Sequence, residues 1–268
     1  MAEIDVSPFG LEPVAEVPLA RAPLVSVLAQ VRYPKVPLFS REEGAGAVRE
    51  RLREHYPILR QGPAIALLIT PSGVTQEVSQ SPLWRLQDRH GAWTVTLSDE
   101  FVSIETRAYI SREDFCSRLD HVLAAISDIG QPVIYDRIGV RYINQFTGEA
   151  AERIRELVRP EMHGALSVPL SEQAELTLTL TEALFQSADH HQLRARWGSL
   201  PGNTAVDPAV PPVATRSWIL DLDSFTDSSG DFSPPVLGNL ARYLAERAYR
   251  FLRWAVTPMF DQLFSGAR

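Results

Sequence analysis

The residues of this chain with the most chemistry in them are arginines and aspartates at alternate positions. Arg137 and Arg141 share one strand-like run, Arg194 and Arg196 sit two apart in another, and Asp221 and Asp223 sit two apart in a third. Successive side chains of a strand point to opposite faces, so spacings of two or four put each set on one face. A guanidinium fork matches a carboxylate or phosphate bidentately; Arg141 and Arg196 could clamp an anion while Asp221 or Asp223 acts as base. Arg32 and Glu105 occupy the polar faces of two earlier runs, and Asn144 closes the polar-aromatic run that opens at Asp136. The candidate ligand-binding set is therefore Arg32, Glu105, Arg137, Arg141, Asn144, Arg194, Arg196, Asp221 and Asp223. The competing account needs no ligand: Arg141 and Arg196 pair with Asp221 and Asp223 as a salt-bridge network on a sheet face.

Other chemistries find less support. Cys116 is the only cysteine, which excludes an internal disulfide and any multi-cysteine zinc site and fits a reducing compartment. It follows Phe115 in a helical pattern, with nothing beyond the nearby helix start to lower its pKa. Asp189-His190-His191 offers metal-ligand types, but adjacent side chains diverge and share one ion poorly. His55, His121 and His163 lie apart in sequence with no paired spacing, so no metal is expected. Gly-x-Ser-x-Gly, phosphate-cradling glycine loops and dinucleotide fingerprints are absent, so no cofactor is expected and no catalytic residue is assigned.

Composition narrows the partners. A net charge of −7 argues against a large nucleic-acid footprint, which needs a concentrated surplus of cations. Trp84, Trp93, Trp197 and Trp218 all fall in strand-like runs, but Trp93 and Trp197 share faces with Val95, Leu97, Leu193 and Ala195, which points to core packing rather than base stacking. Lys35 is the only lysine; the arginine bias reads as codon usage of a GC-rich genome, the alternative being a selected arginine function. The acidic start Met1-Ala2-Glu3-Ile4-Asp5 leads into no apolar signal region, and no run is long enough to span a bilayer. The expectation is a cytoplasmic protein without a membrane partner; a homodimer is compatible with the chain.

Residues 1–22, with Pro8, Pro13 and Pro18, read as an N-terminal arm or extended packing segment. Over Val25–Tyr33 the residues Val25, Val27, Ala29, Val31 and Tyr33 fall on one face and Ser26, Gln30 and Arg32 on the other. Ser40-Arg41-Glu42-Glu43 matches a capping box, predicting a helix to about His55. Strands are expected over 64–70, 75–88, 92–97 and 101–107. Ser111 then caps a helix with an apolar stripe of Phe115, Leu119, Val122, Leu123 and Ile126, stopped by Gly130.

The second half follows the same order. A strand over 133–146 precedes a helix over about 149–159; a strand over 175–185 turns Leu176, Leu178 and Leu180 inward against Thr177, Thr179 and Thr181. Strands over 193–198 and 218–225 follow a turn and a Pro/Gly-rich mobile loop at 200–212, and a long helix over about 235–256 carries the strongest apolar stripe. Val31-Arg32-Tyr33 returns as Val140-Arg141-Tyr142, and Ser103-Ile104-Glu105 as Asp221-Leu222-Asp223. We read two tandem α+β repeats, 23–131 and 132–268, each a strand-helix-antiparallel strands-helix unit, packed as one globular whole. The unit is similar to helix-grip and TATA-binding-protein-like arrangements, with helices on one face of a curved antiparallel sheet; that similarity carries no chemistry.

The run Arg137-Ile138-Gly139-Val140-Arg141-Tyr142-Ile143-Asn144 has a further resemblance. Together with Val31-Arg32-Tyr33, Phe101–Thr106 followed by Tyr109 and Phe115, and Leu220-Asp221-Leu222-Asp223, it resembles a sporadically distributed bacterial family of about this length. That family has no assigned activity, so the resemblance transfers none; its distribution hints at accessory systems such as phage defence or toxin-antitoxin modules. The expected function is a non-catalytic bacterial protein that binds a small, anionic ligand or a protein partner through the Arg/Asp sheet face. The alternatives are an enzyme acting on a phosphate or carboxylate substrate with an arginine clamp and an aspartate base, and a nucleic-acid-binding protein.

Overall fold

Alternating apolar residues build β1 (Leu24–Arg32), which sends Val27, Ala29 and Val31 into the core. The computed structural model describes residues 7–10, 12–62, 65–70, 73–78, 82–204 and 210–266. After β1 come α1 (Glu42–Arg51), β2 (Ile58–Gly62), β3 (Ile65–Thr70), β4 (Gly73–Val78), β5 (Leu83–Gln87), β6 (Trp93–Leu97), β7 (Phe101–Thr106) and α2 (Arg112–Gly130). The chain continues through β8 (Ile134–Tyr135), β9 (Arg137–Thr147), α3 (Glu149–Glu152), α4 (Ile154–Leu157), β10 (Thr181–Gln186), β11 (Gln192–Leu200), β12 (Ser217–Thr226) and β13 (Gly230–Asp231). It closes with α5 (Pro234–Ala255) and α6 (Pro258–Phe264). The fold is α+β with a large antiparallel sheet, and among the described residues no helix is long and apolar enough to cross a membrane.

Two compact units are present, and their division falls within β1, β9, β12 and α5. The unit comprising Ser26–Val140 and Phe225–Leu244 carries the strand order β9-β1-β7-β6-β5-β2. Its register sets Ala29 beside Ile104 and Ile104 beside Val95, so one face of the sheet is apolar. The α2 stripe seals that face: Phe115, Leu119, Val122, Leu123 and Ile126 are all buried, each worth roughly 1.5–3 kcal/mol. Phe115 stacks on Trp93 with ring centroids 5.9 Å apart, and the Arg118 guanidinium lies 4.3 Å from the Trp93 ring centre. The opposite face bears Ser26, Gln30, Ser103 and Glu105.

The other unit comprises Met1–Val25, Arg141–Ser224 and Ala245–Arg268 and carries the order β10-β11-β12-β9. Phe146 of β9 packs against Trp218 of β12 and against Phe260 and Phe264 of α6, while Phe185 of β10 meets Phe251 of α5. Helices of this unit thus cover the face of Phe146 and Phe185. The described part of the N-terminal segment is a packing strap here: Phe9 lies on Phe185 and Phe251, and the Val17 N–H donates to the Tyr249 hydroxyl at 2.8 Å.

Several local expectations give way to tertiary partners. The Ser40 hydroxyl donates to the buried Asp99 carboxylate at 2.8 Å, so it caps nothing; α1 begins at Glu42 behind Arg41 and ends at Arg51, short of His55. Gly130 is the last helical residue of α2, and the left-handed cap is Gln131 at φ 46°; a Cβ on Gly130 would run into the Phe39 ring. Ser111 does cap α2, accepting from the Asp114 N–H at 3.1 Å. The helix expected over 149–159 is broken into α3 and α4 at Arg153. Residues 175–180 stay outside the named strands, and Leu178 and Leu180 are exposed rather than inward. The cause is parity: Phe185 meets Phe251 of α5, so the even-numbered leucines take the opposite face. Of the expected loop at 200–212, residues 205–209 lie outside the described residues, as do 71 and 72 of the expected Pro71-Ser72-Gly73 turn; Val210 is buried with Ile143, Leu200 and Ile219.

Candidate functional site

Three neighbouring strands bring Arg141, Asp221 and Arg196 together. β12 lies between β9 and β11, so Asp221 has an arginine strand on either side. Arg141 donates from Nε to Oδ1 at 2.7 Å and from Nη2 to Oδ2 at 2.8 Å, a bidentate fork. Arg196 donates to Oδ2 from Nε at 2.9 Å and from Nη2 at 2.5 Å. Side-chain exposure is 2 % for both Arg141 and Asp221 and 12 % for Arg196, so Arg196 is the most exposed side chain of the cluster. Burial alone would push the Asp221 carboxyl up, but the charges and hydrogen bonds of Arg141 and then Arg196 outweigh it and hold the carboxyl below its ordinary range.

The same face carries more charge. Arg194 lies two residues from Arg196 and pairs with Glu182 at 3.5 Å, while Asp223 is buried two residues beyond Asp221. Glu182, which the spacing argument passed over, is found by following the β10 register, where it stands opposite Arg196. Asn144 has the other parity on β9: its amide donates to the Leu220 carbonyl at 3.3 Å, away from the Arg141 face. Gln145, also unremarked from the sequence, bonds the Pro211 carbonyl at 3.0 Å and so fixes the loop end beside β9. An isolated glutamine carries no signal that would have revealed this.

The remaining three of the nine candidates lie in the other unit. The Arg137 guanidinium sits 4.4 Å from the Phe225 ring centre and 3.3 Å from the Asp227 carboxylate. Gly139 makes room for it: a Cβ there would come 2.9 Å from Arg137 Nη1 and 3.1 Å from Phe225 Cβ. The close approach suggested by a glycine in a strand is thus made by an arginine of the same strand. Glu105 accepts from the Ser26 hydroxyl at 3.1 Å, and Arg32 stands opposite Phe101 at the end of β1.

Nucleophile and metal chemistry have little geometry behind them. Cys116 is buried in α2, and loss of hydration pushes its thiol up to about 12, so almost none is thiolate at neutral pH. Among the described residues no group of three or more His, Cys, Asp or Glu side chains is placed to hold a metal ion. His191 instead pairs with Asp189 at 2.9 Å, and His55 and His121 lie with ring centroids 5.9 Å apart. No protein-family model, curated protein or solved structure matches the chain.

Proposed function

We propose that this is a non-catalytic bacterial protein that binds a small anionic ligand through the Arg/Asp face of β9, β11 and β12. The Arg141–Asp221–Arg196 cluster is the observation that carries the reading. Burying ions in a sheet contributes little to stability compared with well-packed apolar residues of similar volume, so such a cluster is more readily explained by what it presents than by what it holds together. Arg141 serves as the fixed frame, and Arg196, the more exposed of the two, is the arm that meets a carboxylate or phosphate. The alternative of catalysis with Asp221 as base is the weaker one. Four hydrogen bonds from two guanidinium groups fill its oxygens, and a carboxyl held below its ordinary range is a poor proton acceptor at neutral pH. Nucleic acid remains the least favoured ligand for a chain of net charge −7.

The same proposal places the protein in the cytoplasm, where its one buried cysteine stays reduced, and derives it from an internal duplication. Supporting the duplication, the first strand of each half stands next to the last: β1 beside β7, and β9 beside β12. A thermal-shift screen of inorganic phosphate, nucleotides and dicarboxylates tests the function. A true ligand at a hundred times its Kd stabilises by about 2.7 kcal/mol. That corresponds to a rise of roughly 5–10 °C in a chain of this size. The rise should be absent in Arg196→Ala. No shift with any compound in the wild type, or equal shifts in both proteins, would overturn the proposal.

A further inference from the structure

β10 ends the strand order of its unit, and the chain leading into it runs on in the same register. The Thr179 N–H donates to the Ser199 carbonyl at 3.0 Å and the Ser187 N–H to the His191 carbonyl at 2.9 Å, in line with the pairing of Thr181 with Trp197 and Phe185 with Leu193. Hydrogen bonding alternates along an antiparallel strand, so the odd-numbered residues face β11. The peptide groups of Leu178, Leu180, Glu182 and Leu184 therefore point to the outer edge.

Their side chains add an apolar stripe. Leu178, Leu180 and Leu184 are 46 %, 41 % and 52 % exposed, and with Val168 and Leu170 they make five of the thirteen large apolar residues exposed among the described residues, all within 168–184. Proteins blunt such edges with lysine, proline or a bulge, yet residues 177–186 contain no Lys, Arg or Pro. The one charge, Glu182, is engaged by Arg194 at 3.5 Å. Gly198 lets the Thr179–Leu180 backbone lie close against β11, where a Cβ would collide with the Thr179 carbonyl.

We propose that this edge takes a second copy of the chain, β10 against β10, antiparallel about a two-fold axis at Thr181. The leucines select both the occupant and the register. Centred on Thr181, Leu178 faces Leu184 of the second copy and Leu184 faces Leu178, while Leu180 and Glu182 exchange backbone hydrogen bonds reciprocally. A two-fold interface requires this reciprocity, and one strand supplies both halves of it. Centring on Glu182 would set two carboxylates directly opposite each other, which destabilises a sheet pair.

Sedimentation of the full chain from about 1 to 100 μM, a range that brackets micromolar association, tests the assignment. The wild type should run at twice the monomer mass at the upper end. Glu182→Pro removes an outward N–H together with the carboxylate that pairs with Arg194, and Leu178→Lys/Leu184→Lys places like charges across the axis. Both variants should run as monomers with unchanged far-UV circular dichroism. The register is checked separately: Leu178→Cys/Leu184→Cys should cross-link to a covalent dimer on mild oxidation, while each single variant should not. A wild-type monomer at every concentration, including one that takes up a short extended peptide instead, or a dimer that survives both sets of substitutions, would overturn the proposal.

Discussion

Arg141 meets Asp221 through two parallel hydrogen bonds of 2.7 and 2.8 Å, with both side chains 2 % exposed. An ion pair this dry differs in kind from the exposed pairs of this protein, such as Arg51 with Asp128 at 3.4 Å. A surface pair contributes up to about 1 kcal/mol. Removing one member of a buried pair strands the other charge, at a cost of several kcal/mol.

Arg141→Met is accordingly expected to lower the unfolding free energy by about 3–5 kcal/mol. Replacing the whole cluster, Arg141→Met/Arg196→Met/Asp221→Leu, should recover most of that loss because no buried charge is left unpaired. Urea denaturation of the three proteins measures both numbers. A loss below about 1 kcal/mol for the single variant would show that the pair is effectively solvated.

Asp221 gives stability an acid-side dependence. Its folded pKa is depressed, so its contribution is complete above the unfolded value near 3.9 and is lost as the pH falls through the folded value. The stability difference between wild type and Asp221→Asn should hold steady above about pH 5 and shrink as the pH is lowered below 4. Urea titrations at closely spaced pH values give this difference directly, and one that grows on acidification would contradict the depressed pKa.

Gly139→Ala should displace the Arg137 guanidinium from Phe225 and cost about 1–3 kcal/mol through overpacking, despite the better strand propensity of alanine. The cost should fall when Arg137→Ala is already present. Equal costs in the two backgrounds, measured as a double-mutant cycle, would mean that the glycine serves some other contact.

Cys116 should be silent to thiol reagents. With 1 % exposure and a thiol pushed up to about 12, it is expected to react with an aromatic disulfide only after unfolding, releasing one equivalent in denaturant and essentially none without it. Rapid reaction under native conditions would show that α2 opens locally.

Patterns that repeat every two or every 3.6 residues were readable from the chain alone. The stripe from Phe115 to Ile126 and the alternation from Val25 to Tyr33 state which side is apolar, because a periodic element has only one way to bury it. The same parity put Arg141, Arg196 and Asp221 on one face before any strand was paired. What parity leaves undetermined is which strands are neighbours, and that decided the rest. β12 between β9 and β11 turned six charged or amide candidates into one cluster of three, an Arg194–Glu182 pair, a buried Asp223 and an Asn144 on the far side. Neighbours also overrode local signals: Asp99 drew Ser40 away from a cap, Phe39 needed Gly130 small, and the packing of Phe185 on Phe251 turned Leu178 and Leu180 to the opposite face. Local sequence determines the shape of each element because its energetics involve residues a few positions apart. Only tertiary structure decides partners, since a carboxylate or a ring supplied from far along the chain changes which arrangement is lowest in free energy.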